Sequence, residues 1–250
     1  MKKTLLPLLL CLLVSVALLP ILKTSHASIA HIRAAAPAFS SDSAAGFTHE
    51  ESGSAASRLY HSLGLQHIGL SEDAFSYAYR GYSYMAGMGM LPQQDILTIV
   101  DFSQSSAHKR MYIIDMNSQE VLFNTYVAHG RNSGLNYAER FSNRVESLQS
   151  SLGFYITKGT YHGKHGLSLK LAGQEEGWND NAETRAVVLH GADYIGSHRA
   201  DAAYMGRSFG CPAVPRAHSA KVIRMIKNGT ALFIYHPSQE YLNSSKLLNS

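Results

Sequence analysis

The sequence predicts a strand-dominated domain over residues 95–237, preceded by a small helical element. Three observations carry this. Glycine (20 residues) and tyrosine (14) are plentiful, while charged residues make up only 16% of the 250-residue chain, a balance that favours strands and tight turns over long helices. The apolar pattern changes at Pro92: ahead of it Phe75, Ala78, Tyr79, Tyr82 and Met85 fall on one helical face, and after it short β-rich runs alternate with glycine-marked turns. A hydrophobic share of 45% is enough to bury a core.

The first 27 residues are not part of that fold. "MKK" is a basic start, "TLLPLLLCLLVSVALLPIL" an apolar run, and "SHA" (Ser25–Ala27) offers small residues for cleavage, so residues 1–27 read as a secretory signal peptide. The run is almost long enough to span a bilayer, which makes an uncleaved anchor the competing reading; Pro20 and the small residues after it favour cleavage. The chain is expected beyond the inner membrane, with membrane contact during export alone. Cleavage removes Lys2, Lys3 and Lys23 and no acidic residue, so the formal charge falls by three, from +4 to +1. No Lys/Arg cluster with interleaved aromatics remains, which argues against a nucleic-acid partner.

Residues 28–55, rich in Ala and Ser without periodicity, read as a flexible linker. Within 56–94, "ASRLYHSLG" predicts a short helix ending at Gly64, and Ser71 with Glu72 and Asp73 predicts the capped start of a second. Asp95–Phe102 predicts a strand, and Lys109–Met116 with Val121–Gly130 a hairpin. Ala186–Leu189 predicts a short strand ending at His190, "RAHSAKVIRMIKNGT" a helix closed by Gly229, and Ala231–Pro237 a last strand. Residues 238–250 are left as a C-terminal tail.

Loss of Cys11 with the leader leaves Cys211 alone, in "GRSFGCPAV". Structural cysteines of exported proteins usually come in pairs, so a lone thiol is either reactive or a buried, inert side chain. "VVLHG" places His190 where an apolar strand meets a loop, as "SFGCP" does for Cys211. A cysteine attacks as thiolate and gains from an imidazole that takes its proton. Gly210 allows a sharp turn that could aim the Cys211 N–H, with that of Gly210, at an oxyanion; Pro212 has no N–H to offer.

The pattern H-G…S-x-G-C resembles the YkuD-type L,D-transpeptidases. His190 and "SFGC" (Ser208–Cys211) stand 17 residues apart (191–207), the spacing of that signature. "DILTIVDFS", "VAHGRNSG", "SSLGFY", "YHGKHGLSLKL", "NDNAETRAVVLHGADY" and "GRSFGCPAV" together look like its divergent murein L,D-transpeptidase catalytic domain-like branch, over about residues 70–236. The resemblance implies a mainly β, sandwich-type catalytic domain with accessory helices. It implies Cys211 as nucleophile, His190 as base, Ser208 as a support of the loop and Gly210 as the glycine before the nucleophile. It further implies that a peptidoglycan tetrapeptide stem acylates Cys211 at the meso-diaminopimelate carbonyl with release of D-Ala. An amine of another stem then takes the acyl group, giving a 3→3 cross-link, and the diaminopimelate implies a periplasm as the compartment. Phe209 stands where the signature has a second His, and Pro212-Ala213 replaces an aliphatic residue followed by Arg or Asn. Substrate contacts through those places are therefore in doubt, and Arg207 becomes a candidate carboxylate-binding cation, against a solvated loop arginine.

His129, His162, His165 and His190 do not form a zinc pattern, and neither metal nor cofactor is expected. His165 and His129 are candidates for lining the cleft, and Tyr161 for shaping a peptide groove, against plain packing. A monomer is expected. The rival enzyme readings are an L,D-carboxypeptidase or another cell-wall cysteine peptidase; a γ-D-glutamyl–diaminopimelate endopeptidase usually places Cys before His, the reverse of the order here. The rival of another class is a non-catalytic peptidoglycan-binding envelope protein.

Overall fold

The computed structural model describes residues 49–250; the expected signal peptide and residues 28–48 of the expected linker lie outside them. Helix α1 runs His49–Ser62, so the last residues assigned to the linker are helical. Gly64 follows in the left-handed region (φ 63°), as expected for a helix end. Helix α2 (Glu72–Gly87) starts where the sequence places it: the Ser71 hydroxyl accepts the Ala74 N–H at 3.2 Å. Ala74, Phe75, Ala78, Gly81 and Met85 are its buried face. A Cβ on Gly81 would sit 2.2 Å from the Phe154 ring, so glycine is what lets α2 lie this close to the sheet.

The strands are β1 (Ile96–Asp101), β2 (Met111–Asp115), β3 (Glu120–Thr125), β4 (Gly153–Gly163), β5 (Gly166–Gly173), β6 (Val188–Ala192), β7 (Ala213–Pro215) and β8 (Ala231–Tyr235). They form one mixed sheet in the order β3-β2-β1-β8-β4-β5-β6-β7. The last strand inserts in the middle, parallel to β1 and antiparallel to β4. Buried on both faces, β1 and β8 read as continuous apolar runs. Past Thr125 the chain leaves the β3 edge and crosses to the other one. Ala128 bridges Ala213 of β7, with its N–H on the Ala213 carbonyl at 2.8 Å, and Gly130 bridges Ser208. One segment thus ties both edges and curls the sheet towards a barrel, the mainly β, sandwich-like architecture expected.

Helix α3 (Arg216–Ile226) packs on β5, β6 and β7. The 238–250 segment, read as a tail, is part of the core: α4 (Gln239–Ser244) buries Tyr241 and Leu242, and Leu247 and Leu248 follow. Its anchor is the buried carboxylate of Glu175, which accepts the Tyr241 hydroxyl (2.9 Å), the Ser245 hydroxyl and the Phe154 N–H (2.7 Å). Strand β6 also differs from expectation. Ala186 turns at φ 52°, so the strand starts at Val188 and continues through His190 to Ala192. His190 therefore lies mid-strand, because β7 supplies a parallel partner: His190 pairs Ala213, Gly191 pairs Val214 and Ala192 pairs Pro215.

Candidate active site

Residues 208–212 run along β6 just before β7. The His190 N–H donates to the Pro212 carbonyl (3.3 Å), and the Val188 N–H faces the Cys211 Sγ (3.4 Å). Cys211 is a free thiol, partly exposed. Its S–H points to the Ala186 carbonyl at 3.7 Å. Among the hydrogen bonds of the described residues none joins this sulfur to His190: the imidazole sits on β6 and the thiol in the turn that leads into β7, without a direct bond. Burial raises the thiol, the Val188 N–H and the Arg185 charge act the other way, and the balance keeps it above its ordinary value.

His190 is buried (3% exposed), and its Nδ1 lies 3.1 Å from the Gly191 carbonyl. A carbonyl can only accept, so Nδ1 carries the proton and the neutral ring leaves its lone pair on Nε2. Burial lowers the His190 imidazole, and His165, Arg216 and Lys164 lower it further. Both partners are thus neutral near pH 7.

Ser208 braces the turn before the thiol. Its buried hydroxyl donates to the Cys211 carbonyl (2.6 Å) and accepts the Gly210 N–H (3.0 Å). The Gly210 amide is therefore committed and is not an oxyanion donor, contrary to expectation. The Cys211 N–H, which lies against its own sulfur, is the remaining one of the two. Gly210 has φ 120°, and a Cβ there would stand 2.8 Å from the Gln149 carbonyl. A side chain is excluded at that position.

His165 lies in the two-residue turn between β4 and β5 and stacks on the His190 ring, with centroids 4.2 Å apart and planes 19° from parallel. Its own imidazole is lowered by burial, Lys164 and Arg216. Tyr161 shares a lateral row with His190: Tyr161 pairs Ser168, and Ser168 pairs His190. Two strand spacings separate them, about 10 Å, and Tyr161 is exposed. Both belong to the surface around the imidazole.

His129 and Arg207 do not stand free there. His129 is fully buried, its Nδ1 2.8 Å from Arg110 Nη2 and its Nε2 3.3 Å from the Gly134 carbonyl. Because a guanidinium can only donate, Nδ1 accepts and Nε2–H donates. Burial and the Arg110 charge push this imidazole down to about 3. Its contribution is made by the backbone: the His129 carbonyl accepts the Ser208 N–H at 2.9 Å. Arg207 donates to the Arg131 and Gly134 carbonyls (2.8 and 3.0 Å) and lies over the Tyr204 ring, so its charge is tied to the neighbouring loop. Phe209, which departs from the signature, is 64% exposed under the Arg131 guanidinium.

Arg185 is the site residue the sequence reading missed. Its guanidinium reaches the segment beside Gly210, and "ETRAVV" ahead of a strand gives no sign that this arginine turns inward.

A curled mixed sheet with an imidazole on one strand and a free thiol in the turn that leads into its neighbour is the setting of a YkuD-type catalytic domain. The chain belongs to that family: the L,D-transpeptidase catalytic domain profile matches residues 66–235. Among solved structures it is similar to an L,D-transpeptidase from Mycobacterium smegmatis (11% identity, 57% of this chain and 59% of that one, TM-score 0.35). It is also similar to L,D-transpeptidase 3 from Mycobacterium tuberculosis (9%, 57% and 61%, 0.36). A third is an L,D-transpeptidase from Xylanimonas cellulosilytica (14%, 76% and 95%, 0.33). The chain spans about 59% of the length of the first of these. Among curated proteins no relative matches.

Proposed function

We propose that this protein is a cysteine acyltransferase that cross-links peptidoglycan stems in the cell envelope, acting as a monomer after export. The observation that carries the reading is the fixed tautomer of His190: Nδ1–H is held by the Gly191 carbonyl, which leaves a basic Nε2 beside the segment that bears the one free thiol among the described residues. In this cycle the Cys211 side chain rotates off the Ala186 carbonyl towards Nε2. His190 takes the proton as sulfur attacks the diaminopimelate carbonyl carbon of a tetrapeptide stem. The Cys211 N–H holds the oxyanion. The carbon–nitrogen bond breaks, the departing D-Ala amine takes the proton from His190, and a thioester remains. A diaminopimelate amine of a second stem attacks that thioester, its proton passes to His190, and the thiolate leaves and is reprotonated. Lys164, exposed on the β4–β5 turn beside the two imidazoles, suits a carboxylate of the stem.

The test is product mass with defined disaccharide-tetrapeptides. A dimer lacking one D-Ala is expected. A monomer lacking D-Ala would replace transfer by hydrolysis, and unchanged substrate with a folded enzyme would remove the reading.

A further inference from the structure

We propose that Arg185 is a positioning residue for the nucleophile: its guanidinium locks the turn that carries Cys211 and supplies a fixed positive charge that favours the thiolate. The proposal rests on Cys211 being the nucleophile. Arg185 Nη1 donates to the Ser142 carbonyl (2.7 Å) and the Ser151 hydroxyl (3.1 Å). Nη2 donates to the Ser147 hydroxyl (3.2 Å) and the Gln149 carbonyl (2.5 Å). These bonds draw the 142–151 segment against Gly210. The place a Gly210 Cβ would take is 2.8 Å from the Gln149 carbonyl and 3.2 Å from Nη2 itself. Next door, the Ser150 hydroxyl donates to the Gly210 carbonyl (3.3 Å) and accepts the Gly130 N–H (3.0 Å). The nucleophile turn is thus held through the 142–151 segment.

The main chain adds a second link. Residue 186, directly after Arg185, has φ 52°, and its carbonyl accepts the thiol. One turn therefore places both the resting acceptor of the S–H and the charge behind the sulfur. Among the described residues no carboxylate pairs with Arg185; the one such ion pair joins Arg216 to Asp193. All four of its partners are neutral, so its charge is not cancelled locally, and in a partly buried place it is weakly screened. The other ionisable groups around the sulfur are Lys164 on the β4–β5 turn, Tyr155 on β4, Tyr194 after β6 and His190. Of these Lys164 is the other cation, and it is exposed on a hairpin tip, where solvent weakens its field.

The test is the pH dependence of Cys211 alkylation by iodoacetamide, which needs no stem peptide and so reads this claim even if transpeptidation fails. Arg185→Gln should move the midpoint up by about one pH unit and slow alkylation at pH 7 about tenfold, and Arg185→Lys should restore most of the shift. A folded Arg185→Gln protein with the wild-type midpoint overturns the proposal, as does Arg185→Lys shifted as far as Arg185→Gln. If Arg185→Gln does not fold, Ser147→Asp sets a carboxylate beside Nη2 in a partly exposed loop. It should raise the midpoint, and an unchanged midpoint there also overturns the proposal.

Discussion

At the scale of the residue, the protonation states set the pH range of the chemistry. His190 is held below the ordinary imidazole value by burial and its cationic neighbours, and the thiol is held above its own. In the proposed cycle the competent pair is neutral imidazole with neutral thiol. Protonation of His190 removes the base, so acylation should be lost on an acid limb that lies below pH 6.5. A pH–rate profile of single-turnover acylation checks this; a limb above 6.5 would contradict the assigned environment of His190. Ser208→Ala frees the Gly210 amide and the Cys211 carbonyl together, which should cost about 1–3 kcal/mol of stability and lower acylation further than the melting shift explains. The thiol and imidazole were legible because the glycines around them and their spacing form a motif. The burial of His129 was not legible, since "VAHG" reads the same whether the ring faces a cleft or Arg110. Arg185 was hidden for a similar reason: its partners are carbonyls and hydroxyls 34 to 43 residues away, which leave no charge pattern in the sequence.

At the scale of the element, α2 was readable because periodicity and a cap mark it, and β1, β2 and β8 because each is an apolar run. The limits of β6 were not, because they depend on β7, a three-residue strand too short to have a pattern of its own. The C-terminal helix was missed because α4 has six residues, and its place is fixed by a buried Glu175 far away in sequence. Deleting residues 238–250 should expose that carboxylate and the apolar surface under Tyr241, lowering the melting temperature sharply; an unchanged melt would show that the segment is dispensable. The seat of α2 on the sheet is tested by Gly81→Ala. The added methyl meets the ring of Phe154, which is itself stacked on Phe233 at 4.2 Å and has little room to yield. Urea unfolding should show a loss of about 1–3 kcal/mol; a neutral result would mean that α2 can shift without cost.

At the scale of the whole molecule, the Arg110–His129 pair joins the strand side of the domain to the turn that carries Cys211. Arg110 is fully buried and donates to the Val127 and Gln104 carbonyls as well as to His129. His129 is depressed in the fold from 6.5 to about 3, so its contribution to stability is complete above pH 6.5 and is lost as pH falls towards 3. Each pH unit within that window costs up to about 1.4 kcal/mol. Glu175 acts in the opposite sense: burial raises its carboxyl, so its contribution is present at low pH and fades as pH rises through its folded value. His129→Asn, whose side-chain oxygen can still accept from Arg110, isolates the first effect. Its melting temperature should fall less steeply than that of the wild type between pH 6.5 and 4, and equal slopes would contradict the assignment.

The central claim is that Cys211 carries the acyl group with His190 as its base. The most direct measurement is the intact mass of the protein after brief exposure to a tetrapeptide stem or a carbapenem. A single covalent adduct is expected that maps to Cys211, is absent from Cys211→Ala, and forms far more slowly in a folded His190→Ala protein. An adduct that persists in Cys211→Ala, or wild-type rates without His190, would contradict it.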